Sequence, residues 1–213
     1  NSTGGYDVVT PVAERSYLGT VDGHPDAIAC GIIQDDGEFR GAVYFDRGVT
    51  WYTQSSAVIG TRALDYAADT FRDFKLPSSS TVKTGQAGST MFGYDVAVDA
   101  ENGYYTGPGG GSVAKTLELI EFSMCLNRAM YMRDVLLRPY LGRVIVRTDL
   151  AQDPYSALSS GAYLDQLRVE WNTNHTSASR DLVAGVTPAK VGGGLAWVGV
   201  VGTSSGYSVN DSD

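Results

Sequence analysis

Residues 112–148, SVAKTLELIEFSMCLNRAMYMRDVLLRPYLGRVIVRT, decide the fold class of this chain. The first part of the stretch repeats apolar residues at helical spacing, which puts them on one face of a helix. They are Val113, Leu117, Ile120, Met124, Tyr131 and Val135. Ser112 stands where an N-cap belongs, and Pro139 follows the end of the pattern. Residues 140–148, YLGRVIVRT, are typical of a strand buried on both faces, so the stretch predicts a long helix leading into a core strand.

The segments on either side extend this pattern. Residues 91–105, MFGYDVAVDAENGYY, begin with the alternation of a strand, and residues 153–175 predict a helix capped near Ser156 or Ser160. SRDLVAGVTP and GGGLAWVGVV then supply two more strands. The order strand, long helix, strand, helix, strand, strand predicts an α/β layer, with helices packed on a twisted and mostly parallel sheet.

The N-terminal part differs in character. Residues 17–52 contain short runs rich in Val, Ile, Phe and Tyr, separated by DGHPD, DDG and DRG. These separators are the turn residues that hairpins require, so this part predicts an antiparallel β-unit. We therefore divide the chain into a β-rich unit at 1–60, a short helix and polar linker at 61–90, and an α/β part at 91–213. The fold class is α/β, and α+β for the chain as a whole.

Charge and hydropathy exclude several classes of partner. The 213 residues carry a net charge of −8, and neither sign forms a block. Nucleic acid and anionic membranes are poor partners for such a surface. No run reaches the roughly 18 apolar residues that a membrane helix needs. We expect neither nucleic-acid binding nor a membrane span.

Sequons and composition favour an extracellular protein. Asn-x-Ser/Thr sites occur at Asn1, Asn174 and Asn210, beside 26 Gly and 13 Tyr. If the chain is exported, its signal peptide was removed before this numbering starts. The two cysteines, Cys30 and Cys125, leave two alternatives open: a disulfide that joins the two parts of the chain, or two buried thiols.

The wording and order of these segments resemble reprolysin/ADAM-type zinc metallopeptidases, which belong to the metzincins. SYLGTVDGHPDAIACGIIQDDGEFRGAVYFDRGVTWY resembles the β-rich propeptide of that family. DVAVDAENGYY, the long helix with its following strand, and GAYLDQLRVEWNTNH resemble the first elements of its catalytic domain. The resemblance implies a propeptide-like unit followed by a zincin-like upper subdomain, with a twisted mixed sheet and two long helices.

The resemblance also implies a substrate-binding edge strand. In the family, an extended peptide pairs with this strand backbone to backbone. Carried onto this sequence, the strand is formed by Gly194, Leu195, Ala196, Trp197 and Val198. Gly193 and Gly194, which lack side chains, are expected to let a foreign backbone approach closely. The implied partner is therefore a peptide or protein strand.

Zinc binding in the family rests on an H-E-x-x-H helix with a third His soon after it. This chain has only His24 and His175, and neither stands in that context. We predict His24 to be a turn residue and His175 an exposed loop residue, and we assign no catalytic residue and no metal ligand. The chain as given ends in SSGYSVNDSD, which we interpret as the loop before the zinc helix. Zinc is expected only if the C-terminal half is present, so the chain is expected to be inactive alone.

Two functions of different classes follow. The first is a secreted zinc metallopeptidase-like protein, in which metal-activated water hydrolyses peptide bonds once the catalytic half is present. The alternative is an extracellular structural or assembly protein on the same scaffold, because an unpaired edge strand is a template for filament formation or strand docking. Besides a peptide or protein strand, the candidate partners of the chain are its own C-terminal catalytic half and further copies of itself. Zinc content separates the two, since the assembly protein needs none.

Overall fold

The computed structural model describes most of the chain. The described residues are 6–9, 15–45, 50–53, 66–67, 91–156, 159–188 and 194–212. They form a mixed α+β structure with two separate sheets, which confirms the coarse fold class predicted from the sequence. The predicted helix and linker at 61–90 lie outside the described residues except for 66–67, and so does Asn1.

The first sheet is antiparallel and follows chain order. Its strands are β1 (Ser16–Val21), β2 (His24–Ile33), β3 (Phe39–Tyr44), β4 (Thr50–Tyr52) and β5 (Tyr66–Ala67). The turns between β1, β2 and β3 contain Gly23 and Gly37, with φ of 77° and 85°. Residues with a side chain rarely adopt such positive φ values, so these glycines place the hairpin turns.

The second sheet is mixed. Its elements are β6 (Phe92–Ala100), α1 (Asn102–Thr106), α2 (Val113–Val135), β7 (Leu137–Val146), α3 (Ser160–Asn174), β8 (Leu182–Pro188), β9 (Leu195–Ala196) and β10 (Tyr207–Ser212). The strand order is β7-β6-β8-β10-β9. All neighbouring strands are parallel except β9, which pairs antiparallel with β10. Helix α2 leads from β6 to β7 on one side of it, and α3 leads from β7 back to β8 on the other side of β6. Because the two right-handed connections run in opposite directions across the sheet, the helices cover opposite faces of the sheet.

Both long helices begin at serine caps. The Ser112 side chain accepts a hydrogen bond from the Lys115 N–H at 3.3 Å, as the sequence predicted for α2. For α3 the cap is Ser159, which lies between the two predicted positions and accepts from the Ala162 N–H at 3.4 Å. Helix α2 ends at Val135, and the following residue, Leu136, has a φ of 54° that turns the chain directly into β7.

Strand alternation in β6 separates the two faces of the second sheet. Val96, Val98 and Ala100 are buried with Ile120 and Met124 of α2. On the opposite face Ala97 is buried in the core that includes α3. A further face of α2 packs on the first sheet, through Phe122, Cys125 and Ala129. The layers are therefore first sheet, α2, second sheet and α3, and α2 is shared by two cores.

Polar contacts also hold the first sheet against α2. Glu118 of α2 is 2 % exposed and accepts hydrogen bonds from Gln34 Nε2 at 3.0 Å and from the Asp35 N–H at 3.2 Å. Burial works to raise the pKa of Glu118, but hydrogen bonds from Lys115, Gln34 and Asp35 outweigh it and lower the pKa. The carboxylate is thus kept ionised where the β2–β3 turn meets α2.

The C-terminal strands differ from the sequence interpretation. Within the described part of the predicted strand, residues 194–201, only Leu195–Ala196 form a strand, and the stretch interpreted as a loop contains β10. Gly199 and Gly202, with φ of 73° and 75°, turn the chain back after β9. The returning chain enters between β8 and β9 as β10, so a strand stands where the sequence suggested a loop.

None of the helices within the described residues is both long enough and apolar enough to cross a bilayer.

Candidate functional site

Strand β9 lies at the outer edge of the second sheet, and no described strand lies beyond it. Its two residues pair with β10, Leu195 opposite Val209 and Ala196 opposite Ser208. Both are exposed, Leu195 by 43 %. The structure therefore places two of the five residues predicted for substrate binding on the edge strand itself.

Hydrogen-bond direction distinguishes the two residues of β9. The Val183 N–H donates to the Gly206 carbonyl at 2.9 Å, and Val183 pairs with Tyr207 in the parallel ladder. In a parallel ladder the backbone groups of the next residue, Ser208, then face β8. Those of Val209 must face β9, which makes Leu195 its hydrogen-bonded partner. It follows that the N–H and C=O of Ala196 point away from the sheet.

The other predicted edge residues flank β9 without extending it. Trp197 packs edge-on against Tyr207, with ring centroids 6.4 Å apart, and the Arg168 guanidinium lies 5.5 Å from the centre of its ring. Val198 is 97 % exposed in the bend that follows. A Cβ at Gly194 would lie 3.1 Å from the Val209 carbonyl oxygen. Gly194 therefore permits close approach to β10, its own neighbour, whereas the sequence suggested a foreign backbone; Gly193 lies outside the described residues.

A buried charged cluster, which sequence reasoning missed, lies at the carboxyl ends of β6 and β7. Asp99 is fully buried and accepts from Arg147 Nε at 3.0 Å and Nη2 at 2.7 Å. Tyr155 Oη donates to the same carboxylate at 2.7 Å, and Trp171 Nε1 at 2.8 Å. Burial works against the charge on Arg147, but Asp99 outweighs it and raises the pKa of Arg147. Asp99 thus accepts four hydrogen bonds from three side chains.

The cluster continues through Arg147 to the end of α3. Arg147 Nη2 lies 3.2 Å from Glu170 Oε1, which is 3.1 Å from His175 Nε2. Arg147 Nη1 donates to the Tyr6 hydroxyl, and the Tyr6 ring lies edge-on to His175 at 5.5 Å between centroids. The N-terminal segment is thus held against the second sheet by a charged group 141 residues away in sequence. The sequence signal was a charge at the end of each apolar strand, Asp99 in DVAVDA and Arg147 in RVIVRT.

The prediction that His175 is exposed was wrong. His175 is 4 % exposed and caps α3, because its ring packs against Trp171 at 4.9 Å between centroids. Burial lowers the pKa of His175, although Glu170 acts in the opposite direction. His24 is exposed at the first position of β2, directly after its turn, with its ring 5.1 Å from that of Phe45.

Lowering the pH is expected to destabilise the fold through His175. A histidine with a lowered folded-state pKa binds fewer protons when folded, so stability is lost as the pH falls from its unfolded value of about 6.5. The slope should approach ~1.4 kcal/mol per pH unit at most. Thermal unfolding between about pH 7.5 and about pH 5.5 measures it, and Glu170, whose pKa is lowered, titrates below that window.

The two histidines provide matched variants for this experiment. His175→Gln keeps a side-chain donor for Glu170 but should flatten the pH dependence, and His24→Gln, which changes an exposed residue of the first sheet, serves as the control. An equal slope in the wild type and in His175→Gln would contradict the assignment.

The structure also bears on metal ligands, on the sequons and on the two cysteines. Within the described part of the chain, no group of three or more His, Cys, Asp or Glu side chains could hold a metal ion. Asn174 and Asn210 are both exposed. Asn174 Nδ2 donates to Glu170 Oε2 at 2.7 Å. Cys30 and Cys125 are both buried free thiols in this structure.

Comparisons with known proteins add little. No protein-family model matches the chain, and no curated protein matches it. Several solved chains match, among them one from "Structure of a chaperone-substrate complex", with 13% identity and a TM-score of 0.46. The match covers 83% of this chain but spans only 23% of the length of that chain. At this level of similarity it supports no conclusion about fold or function.

Proposed function

We propose that this chain is the peptide-holding part of a secreted zinc metallopeptidase-like protein of the reprolysin type. The observation that carries the proposal is the position of β9, an exposed antiparallel strand at the edge of the second sheet. The outward N–H and C=O of Ala196 can pair with one residue of an extended peptide. This is the segment to which the sequence resemblance assigns substrate binding.

The described residues do not fit the zinc that the resemblance implies. His24 begins β2 in the first sheet and His175 caps α3, and no described group of side chains offers three ligands. The proposal therefore gives these residues the binding and orientation of a peptide strand, and it assigns hydrolysis to none of them. In this proposal the first sheet, which packs on α2, corresponds to the propeptide-like unit. Secretion and N-glycosylation rest on the sequons alone.

Hydrogen exchange on the intact chain, with short proline-free synthetic peptides as probes, tests strand docking. The Ala196 amide should exchange more slowly when peptide is added, because it gains a main-chain partner, while the Leu195 amide is already bonded to β10. Ala196→Pro removes the outward donor at an edge position where proline is tolerated. We expect this variant to fold and to bind the peptides at least about tenfold more weakly.

Leu195→Ala is the matched control, because it keeps every backbone group of β9 and shortens only an exposed side chain. Peptide binding that is equal in Ala196→Pro and in the wild type would sink the proposal.

Self-assembly is the second candidate function, and one observation favours it. Three apolar side chains are exposed on β9 and the turn after it: Leu195, Val198 and Val201, at 43 %, 97 % and 60 %. Two copies could pair their β9 strands and cover this apolar surface. Light scattering on the same variants separates the functions: concentration-dependent association that Ala196→Pro abolishes, without any peptide binding, would support assembly.

A further inference from the structure

The two cysteines lie on facing layers of the molecule. Cys30 is in the middle of the first sheet, where it pairs with Leu18 of β1 and Ala42 of β3. Cys125 is at the centre of α2. They are 2 % and 1 % exposed and belong to the same apolar cluster. The layer contact between the first sheet and α2 therefore brings together two thiols that are distant in sequence.

Backbone contacts fix Cys125 beside Cys30. The Cys125 sulfur lies 3.5 Å from the carbonyl oxygen of Gly31, the residue after Cys30, and 3.6 Å from that of Tyr17. Tyr17 and Gly31 are paired across β1 and β2, so Cys125 sits directly over this strand pair. Cys30, the residue before Gly31, is buried in the same apolar cluster as Cys125, so the two side chains share the layer between the first sheet and α2.

The two thiols are chemically unequal. Interaction with Cys30 lowers the pKa of Cys125 against the effect of burial, and Arg128 lowers it further, whereas the pKa of Cys30 is raised by Cys125 and by burial. Arg128 is on the same helix as Cys125 and stays beside it when the first sheet separates from α2. Because the thiolate is the nucleophile in disulfide exchange, Cys125 is the residue that attacks first.

We propose that Cys30 and Cys125 form an oxidisable pair, whose disulfide joins the first sheet covalently to α2. A small-molecule disulfide such as oxidised glutathione is the oxidant. The Cys125 thiolate attacks one of its sulfurs and releases one glutathione thiolate, leaving a mixed disulfide on Cys125. Cys30 then loses its proton to solvent and attacks the Cys125 sulfur, which releases the second glutathione thiolate. The protein loses two electrons and two protons, and one glutathione disulfide is reduced.

Burial determines when this exchange takes place. With both sulfurs shielded from solvent, the oxidant reaches Cys125 only while the first sheet is separated from α2, during folding or a transient opening. Once formed, the bond closes a loop from residue 30 to residue 125 and keeps the two layers together. This inference does not depend on peptide binding at β9, and its failure would leave that proposal intact.

Refolding the full chain with a mixture of reduced and oxidised glutathione tests the pair. We expect an intact mass lighter by two hydrogen atoms and a cross-linked peptide that contains Cys30 and Cys125. The oxidised chain should have a Tm roughly 10 °C above that of the dithiothreitol-treated chain, because the bond restricts the unfolded state. In Cys30→Ala and Cys125→Ala the Tm should not respond to dithiothreitol.

The wild-type mass decides the question even if a variant fails to fold. Two thiols that remain free to alkylation, once the refolded protein is denatured, would overturn the proposal. Glutathione adducts in place of the internal bond, or disulfide-linked dimers, would overturn it equally.

Discussion

Asp99→Asn is expected to lower the free energy of unfolding by about 3–5 kcal/mol. The substitution keeps the shape of the side chain but removes its charge, so Arg147 remains buried at 6 % exposure without its main counter-ion. The amide also presents a donor where Arg147, Tyr155 and Trp171 already donate. A buried charge that loses its main counter-ion costs more than the original ion pair contributed, which is why the expected loss is large even though Glu170 remains 3.2 Å from Arg147. Urea denaturation followed by tryptophan fluorescence measures it.

Asp134→Asn is the matched control for Asp99→Asn. Asp134 pairs with Arg133, but its side chain is 51 % exposed at the end of α2. Solvent screening makes such a pair weak, so the change should stay within about 0.5 kcal/mol. Equal effects of the two substitutions would show that the Asp99 cluster does not hold the second sheet together.

Trp171→Ala is the second large effect, with an expected loss of about 3–5 kcal/mol. Trp171 is fully buried in the core between α3 and the second sheet, and it also donates to Asp99. Its removal opens a cavity and takes one donor from a buried carboxylate. Trp171→Phe separates the hydrogen bond from the packing, because phenylalanine keeps an aromatic ring in the core but lacks the Nε1–H that donates to Asp99. We expect this variant to lose about 1–3 kcal/mol.

Val169→Ala tests whether these losses come from burial. Val169 lies two positions away on the same helix and is 58 % exposed. We expect a change within about 0.5 kcal/mol, since a helix prefers alanine to valine and little packing is lost. A comparable loss in Val169→Ala would mean that α3 is sensitive along its whole length, and not through its contact with the sheet.

The site was only partly predictable from sequence. The segment at 194–198 was selected as an edge strand, and the structure puts Leu195 and Ala196 at the edge of the sheet. The sequence could not show that Ala196, and not Leu195, directs its backbone outward, because that follows from the register with β10 and β8. Whether these residues bind substrate stays a prediction.

His175 shows why exposure was misjudged. A histidine between Asn174 and Thr176 in a sequon has the local appearance of a surface loop residue. Its burial depends on Tyr6 and Glu170, and Tyr6 is 169 residues away in sequence. No local pattern records a contact of that kind.

The sequence by itself determined the elements whose signals are local. Helical spacing and Ser112 located α2, alternation located β6, and the glycine turns located the hairpin of β1 and β2. These signals suffice because a helix or hairpin satisfies its backbone hydrogen bonds among nearby residues. Only the tertiary structure decided that β10 enters between β8 and β9, that Asp99 meets Arg147, and that Cys30 meets Cys125. Each depends on packing between segments far apart in the chain, where layer contacts and strand register select the partner.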